Sequence, residues 1–118
     1  MKVPSIAPVF AVKNVDATVK YFVDVLGFKQ DFRFEEYASV TRGELALHVT
    51  SAGVFPRPIG GGTAYIFVED VDKYFKEVSA RGARLKQGLQ DQPYGLRDFT
   101  VEDPDGNLLS FGKILLPQ

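Results

Sequence analysis

Hydrophobic and polar residues follow the same order twice along this chain. An alternating apolar stretch that starts at Val9 passes into helical spacing that ends at Gly27, and the same succession runs from Tyr65 to Gly82. Alternation is typical of a strand with one buried face, and apolar residues three or four apart are typical of an amphipathic helix. The chain therefore predicts two copies of one strand–helix unit, 56 residues apart. Two similar half-sheets that face each other would leave a concavity between them.

The first copy predicts a strand over residues 5–13 and a helix that begins after Asn14 and ends before Gly27. Asparagine is a favoured N-cap, and glycine accepts the left-handed conformation in which many helices end. The helix is expected to bury one stripe of side chains, formed by Val15, Val19, Phe22, Val23 and Leu26. Three more strands are predicted after it, over residues 28–35, 37–42 and 44–51.

The second copy predicts a strand over residues 63–69 and a helix capped by Asp70. The buried stripe of that helix is expected to hold Val71, Phe75 and Val78. Further strands are predicted near residues 83–90, 96–102 and 107–113. A tight turn over Asp103–Asn107 joins the last two, because proline presets a bend and glycine tolerates a positive φ.

Glycine and proline dominate the segment between the two copies, which therefore reads as a linker. The chain of 118 residues is long enough for one proper core. We therefore predict a single domain over residues 1–118, with module one at 5–51, a linker at 52–62 and module two at 63–113.

Charge and composition exclude several kinds of partner. The chain has 14 basic and 15 acidic residues and a net charge of −1, which argues against binding to nucleic acid. It contains no cysteine, so disulfides and thiolate metal sites are ruled out. No apolar run approaches the ~20 residues needed to span a bilayer. We therefore expect no membrane association and a cytoplasmic location.

The paired modules, combined with the turn Asp103-Pro104-Asp105-Gly106-Asn107-Leu108, resemble the glyoxalase/bleomycin-resistance/extradiol-dioxygenase superfamily, whose members are also called vicinal oxygen chelate proteins. This resemblance implies an α+β fold in which two βαβββ modules form an eight-stranded, barrel-like cup. Further motifs resemble the bleomycin-resistance branch: Ala7-Pro8-Val9, Leu26-Gly27-Phe28, Asp31-Phe32, Gln92-Pro93-Tyr94-Gly95 and Arg97-Asp98-Phe99. That branch implies a homodimer with two grooves at its interface and an N-terminal arm that crosses to the partner.

The enzymes of this superfamily hold a divalent metal at four strand positions, which correspond here to Ala7 (or Pro8), His48, Thr63 and Ser110. Only His48 is a good ligand, and a catalytic ion usually takes three protein ligands. We therefore expect no bound metal, no cofactor and no enzymatic activity. Two alternatives stay open. His48 is either part of the site or a hydrogen-bonded interior histidine, and a metal enzyme would need partners such as Glu44 or Glu102.

The ligand-binding residues are predicted partly from the alternation of side chains along a strand and partly from the resemblance. Alternation along the fourth and fifth strands turns His48, Tyr65 and Phe67 towards the cup. The resemblance to the bleomycin-resistance branch adds residues at positions that line the drug groove there, which gives the candidates Asp31, Phe32, Tyr37, Tyr65 and Tyr94. The alternative for these rings is that they simply fill the cup or a dimer interface.

By this resemblance the chain is expected to bind a bleomycin-like antibiotic, with or without a chelated copper or zinc ion, and to keep it off DNA without chemical change. Two other functions stay open. One is a metal-dependent enzyme of the same superfamily, such as a lyase, isomerase, thiol transferase or dioxygenase. The other is a protein that binds another small flat metabolite or a peptide.

Overall fold

The computed structural model describes residues 1–54 and 57–115; Phe55 and Pro56 of the predicted linker, and residues 116–118, lie outside the described residues. Each half of the chain contains a strand, a helix and three further strands, so the two predicted βαβββ modules and the α+β class are confirmed. The first module consists of β1 (Val9–Val12), α1 (Val15–Asp24), β2 (Lys29–Phe34), β3 (Tyr37–Arg42) and β4 (Leu45–Ser51). The second consists of β5 (Thr63–Phe67), α2 (Val71–Ala80), β6 (Arg84–Asp91), β7 (Leu96–Glu102) and β8 (Leu108–Ile114).

The eight strands are divided into two sheets of four with the same topology. The first sheet has the order β1-β4-β3-β2 and the second has the order β5-β8-β7-β6. In each sheet the edge strand that precedes the helix pairs in parallel with the last strand of its module, which places Val9 opposite His48 and Tyr65 opposite Ser110. The other pairs are antiparallel. Among the described residues no strand pairing joins the two sheets.

Both helices begin at the caps that the sequence predicts. The side chain of Asn14 accepts a hydrogen bond from the Ala17 amide at 2.9 Å, and the side chain of Asp70 accepts one from the Lys73 amide at 3.2 Å. These bonds satisfy amide donors that have no partner within the first turn. Gly27 has a φ of 77° after α1, as expected of a residue that ends a helix in the left-handed region.

The predicted first strand is too long, because β1 begins at Val9 rather than at residue 5. Just before the strand begins, the Pro8 carbonyl accepts a hydrogen bond from the His48 amide at 2.9 Å. Pro4 and Pro8 carry no N–H group, so this segment offers fewer donors to a ladder. The remaining strands lie within two residues of their predicted bounds.

The stripe predicted for α1 contains one error. Val23 is 37% exposed, whereas Thr18, which the prediction omits, is buried together with Val15, Val19 and Phe22. Val23 lies at the edge of the apolar stripe, because eight residues after Val15 a helix has turned about 80° beyond two full turns. The side chain therefore points partly away from the first sheet.

In α2 the core position belongs to Tyr74 rather than to Phe75. Tyr74 is buried, and its hydroxyl donates to the Leu26 carbonyl at 2.6 Å. That bond removes the cost of burying a phenol oxygen, so a tyrosine can occupy the core. Phe75 is only partly buried and packs edge-on against Phe99, with ring centroids 5.1 Å apart.

The turn between β7 and β8 ties the second module to the first. One carboxylate oxygen of Asp103 accepts from the amides of Asp105 and Asn107, both at 2.9 Å, which closes the predicted tight turn. Asn107 is fully buried; its side chain accepts from the Gly62 amide at 2.7 Å and donates to the Ala11 carbonyl at 3.3 Å. The turn is therefore also a cross-link between the modules.

The ends of the two helices form a second junction. Arg81 donates to the Val25 carbonyl at 2.8 Å, and the Arg84 amide donates to the Tyr21 hydroxyl at 3.0 Å. With the bond from Tyr74, these contacts fix how the modules pack while leaving the faces of both sheets that lie opposite the helices uncovered. Within the described part of the chain, no helix is long and apolar enough to cross a membrane.

Candidate ligand-binding site

Three of the predicted site residues form a cluster on the first sheet. The rings of Phe32 and Tyr37 are parallel, with centroids 6.2 Å apart, and His48 meets both edge-on at 5.5 and 5.3 Å. The Tyr37 hydroxyl lies 2.8 Å from His48 Nδ1. Leu47 and Val49, the neighbours of His48 on β4, are fully buried on the opposite face. We call Phe32, Tyr37 and His48 the first-sheet cluster.

The hydrogen bond to Tyr37 bears on the two roles left open for His48. His48 is half-buried and hydrogen-bonded, as expected of an interior histidine, yet it also packs against Phe32, which is 43% exposed. A histidine in this setting can hold an aromatic wall in place without contacting a ligand through its own nitrogen atoms.

The other aromatic candidates lie on the second sheet. Tyr65 and Phe67 follow each other on one face of β5, with ring centroids 5.1 Å apart, and Tyr94 reaches the same face from the turn between β6 and β7. All three are exposed, by 38%, 62% and 64% respectively. We call Tyr65, Phe67 and Tyr94 the second-sheet cluster.

Behind this second cluster lies a buried carboxylate that is not among the predicted site residues. Asp98 on β7 accepts hydrogen bonds from the hydroxyls of Tyr65 and Tyr94, at 2.8 and 3.1 Å, and from the side-chain amides of Gln87 and Gln92, at 3.0 and 2.8 Å. Burial opposes ionisation of Asp98, but the four hydrogen bonds outweigh it and lower its pKa. Burial and the bond to Asp98 together raise the pKa of Tyr65 and of Tyr94.

Tyr65 reaches Asp98 across an intervening strand because that strand has no side chain at the crossing point. β8 lies between β5 and β7, and its residue opposite Phe67 is Gly112. A Cβ atom at Gly112 would lie 2.7 Å from Cζ and 2.9 Å from Cε1 of Tyr65, inside van der Waals contact. The glycine is thus what allows the ring to lie across the sheet.

One sequence signal could have indicated Asp98. By alternation Asp98 shares a face of β7 with Thr100, while Phe99 and Val101 face the helix. A charged residue on the inner face of a central strand needs partners. The sequence does not reveal those partners, because Tyr65, Gln87 and Gln92 come from other strands and from a turn.

The structure does not bring all the predicted site residues together. The two clusters lie on different sheets, and within the described chain no ring contact or hydrogen bond joins one to the other. Asp31 lies in neither cluster; it is exposed on β2, where the pairing with β3 skips it in a bulge between Gln30 and Phe32. A ligand that touched both clusters of one chain would have to bridge its two modules.

A groove of about 970 Å³ runs between the modules rather than over either cluster. Its lining includes Arg42, Leu45, Ile66, Phe67 and Tyr74. Arg42 lies 4.7 Å from the centre of the Tyr74 ring and donates to the Gly27 carbonyl at 2.9 Å. Of the predicted site residues only Phe67 borders it, so this groove does not coincide with the aromatic surfaces.

The donor groups at the four metal positions of the superfamily do not fit a metal ion. His48 supplies one imidazole, whose Nδ1 lies 2.8 Å from the Tyr37 hydroxyl and whose Nε2 would be a single nitrogen ligand, and the Ser110 hydroxyl is paired with that of Thr100 at 2.7 Å. Ala7 has no donor in its side chain, and the remaining position is the neutral hydroxyl of Thr63. Among residues 1–54 and 57–115 no three His, Asp or Glu side chains are grouped so that they could hold a metal, so neither Glu44 nor Glu102 completes a set with His48.

Comparison with known proteins places this architecture among characterised sequences and structures. The family model described as the Glyoxalase/Bleomycin resistance protein/Dioxygenase superfamily matches residues 4–111. A bleomycin resistance protein of Geobacillus stearothermophilus is 26% identical over an alignment of 121 positions that covers 88% of this chain and 92% of the relative.

Two solved structures are similar over almost the whole chain. TioX from Micromonospora sp. ML1 superposes with a TM-score of 0.80 and 30% identity, covering 93% of this chain and 98% of TioX. The bleomycin-binding protein of Streptomyces verticillus, solved with copper(II)-bleomycin, gives a TM-score of 0.78 and 29% identity, covering 100% and 99% of the two chains. These matches confirm the fold and the resemblance that the paired modules indicate.

Proposed function

The chain belongs to the Glyoxalase/Bleomycin resistance protein/Dioxygenase superfamily, and from this membership we propose that it binds a bleomycin-like antibiotic and sequesters it unchanged. The observation that carries the proposal is the pair of aromatic clusters on the two sheets. Phe32 is exposed in the first cluster and all three rings are exposed in the second, and the superfamily metal positions on these sheets lack a fitting donor set. The bleomycin resistance protein and the bleomycin-binding protein among its relatives support the same ligand class.

Stacking on the aromatic clusters supplies the binding energy in this proposal. A flat heteroaromatic part of the drug packs against the parallel rings of Phe32 and Tyr37 on one side and against the second-sheet cluster on the other. Each ring pair of this kind contributes about 0.5–1.5 kcal/mol beyond the apolar area that it buries. Rings that are already held by hydrogen bonds lose little freedom on binding, which favours affinity.

A homodimer is the assembly that brings the two clusters into one groove. The first sheet of one copy faces the second sheet of its partner, so two grooves form and each receives one cluster from each chain. The separation of the clusters within a single chain supports this arrangement. So does the N-terminal segment, in which Met1, Val3 and Ile6 are largely exposed and would be covered by a partner. In this proposal the dimer acts in the cytoplasm and keeps the drug from DNA.

Calorimetric titration with copper(II)-bleomycin and with metal-free bleomycin tests the proposal. We expect saturable binding of one drug per chain and release of unaltered drug on denaturation. Plasmid DNA should be protected from cleavage only up to the point at which drug and protein chains are equimolar. Absence of any binding, or recovery of a chemically altered drug, would contradict the proposed function.

Two substitutions test whether the clusters carry the binding. Phe32→Ala and Tyr94→Ala should each weaken drug binding about 5- to 100-fold, as truncation of central interface aromatics commonly does. Val23→Ala is the matched control, because Val23 lies on the exposed side of α1 and away from both clusters. Sedimentation equilibrium measures the assembly; a chain that binds drug tightly while it remains monomeric would refute the dimeric groove.

A further inference from the structure

The carboxylate of Asp98 is hydrogen-bonded to capacity by neutral groups. Asp98 is only 2% exposed. Its Oδ1 accepts from Gln87 and Gln92, and its Oδ2 accepts from Tyr65 and Tyr94. A carboxylate has about four lone-pair sites, so these four bonds leave none for a ligand. All four donors are uncharged, so they orient around the negative charge but do not cancel it.

The two phenols extend this charge to the ligand-facing surface. Tyr65 and Tyr94 each present part of a ring to solvent while the hydroxyl points inwards to Asp98. The face of an aromatic ring is the negative end of its quadrupole. A hydroxyl that donates to a carboxylate pushes electron density back into the ring, and a buried charge is screened less than one in water. The exposed ring faces therefore carry more negative potential than those of ordinary tyrosines.

We propose that Asp98, Tyr65 and Tyr94 form a subsite for a flat organic cation, which stacks on the two phenol faces while Asp98 supplies the attraction from behind them. The inference rests on the proposed drug-binding function in that it names the part of the ligand that the second sheet receives. Asp98 is a positioning residue here, because it acts through the two rings and does not touch the ligand.

Because hydrogen bonds already occupy the lone-pair sites of Asp98, the subsite favours some cations over others. A compact ammonium or metal ion needs oxygen lone pairs to replace its water, and Asp98 has none to offer. A delocalised cation holds its water weakly and gains from a ring face directly. The subsite therefore selects flat heteroaromatic cations and guanidinium groups over small hydrated ions.

Two probes of the same size, one cationic and one neutral, test the selection. The cation 1-methylquinolinium and the neutral compound 2-methylquinoline have the same ring area, and at pH 8 the second is uncharged. Their dissociation constants are measured by NMR titration of the tyrosine ring signals. We expect wild-type protein to prefer the cation about 3- to 30-fold, the range that cation–π contacts give.

Asp98→Asn should lower this preference several-fold while the neutral probe binds within about threefold of wild type, because the charge is lost and both rings remain. The asparagine keeps one oxygen as an acceptor, and a glutamine amide can turn so that its own oxygen accepts from the new NH2 group. Asp24→Asn is the matched control; it removes the same charge from an exposed site on α1 and should leave the preference intact. If Asp98→Asn does not fold, Tyr94→Phe replaces it, since it breaks one bond to Asp98 and keeps the ring; the preference should then fall at least partly.

Three outcomes would overturn the subsite: no preference in wild type, an unchanged preference in the Asp98 variant, or equal loss of both probes, which would indicate a purely structural carboxylate. A bleomycin titration run in parallel separates the two proposals. Preference for the quinolinium without bleomycin binding removes the drug assignment and supports the cation subsite. Bleomycin binding without any charge preference removes the subsite and leaves drug binding in place.

Discussion

Replacing Gly112 with alanine should detach Tyr65 from Asp98. The new methyl group would overlap Cζ and Cε1 of Tyr65, at 2.7 and 2.9 Å, and it would collide with the hydroxyl. The backbone at Gly112 does not need a positive φ, so an alanine fits there without strain of its own. The ring is the flexible partner in this clash, and it can move only by leaving Asp98.

The size of the effect follows from two opposing contributions. A hydrogen bond to a charged group contributes about 1.5–3 kcal/mol, whereas replacing a strand glycine by alanine returns about 0.5–1 kcal/mol of backbone entropy. Gly112→Ala should therefore lower the free energy of unfolding by about 0.5–2.5 kcal/mol. Urea denaturation at pH 7 measures this change with sufficient precision.

A double-mutant cycle with Tyr65→Ala tests the reasoning. Once the ring is absent, Gly112→Ala should become neutral or stabilising, because only the entropic contribution remains. Gly88→Ala is a matched control on β6, where an added Cβ meets nothing within 4 Å, and it should be neutral or stabilising in both backgrounds. An equal loss of stability from Gly112→Ala with and without the Tyr65 ring would refute the conclusion that the missing Cβ at Gly112 is what lets the ring reach Asp98.

Three further outcomes are expected from urea denaturation of single variants. Asn107→Ala should cost about 2–4 kcal/mol, because it leaves the buried Asp103 carboxylate short of a donor and breaks the bonds between the modules. Phe22→Ala should cost about 3–5 kcal/mol and Val23→Ala less than about 0.5 kcal/mol, and similar costs would contradict the observed orientation of α1. The pKa of Asp98 is lower in the folded than in the unfolded state, so the stability that its charge contributes is fully present above about pH 4 and is lost as the pH falls through the folded value. The free energy of unfolding should therefore decline less in acid for Asp98→Asn than for the wild-type protein.

The elements of this fold could be predicted because they depend on local chemistry. Asn14 and Asp70 cap helices through bonds that span three residues, and Gly27 ends a helix through its own φ. The errors occur where a distant partner decides. Tyr74 displaces Phe75 from the core because its hydroxyl finds the Leu26 carbonyl, 48 residues away. No periodicity within α2 contains that information.

The candidate site shows the same limit. Parity orients His48 and Tyr65 correctly, because alternation along a strand is local. Alternation does not reveal Asp98 as the centre of a hydrogen-bond network on the second sheet, because the groups that donate to its carboxylate come from β5, β6 and the turn before β7. Nor does it show that Phe32 and Tyr65 belong to different surfaces within one chain. Those facts depend on sheet order, and sheet order is a property of the whole fold.

The two clusters differ in charge, so a groove built from both would have two unlike walls. On the first sheet the hydroxyl of Tyr37 is paired with an imidazole nitrogen of His48, whereas on the second sheet the hydroxyls of Tyr65 and Tyr94 are paired with a carboxylate. One wall is therefore aromatic without a buried negative charge behind its phenol, and the other wall has one. In the twofold dimer that we propose, each groove would receive one wall of each kind. A flat ligand with a cation at one end would then have a single preferred orientation in both grooves, and a neutral ligand of the same shape would not.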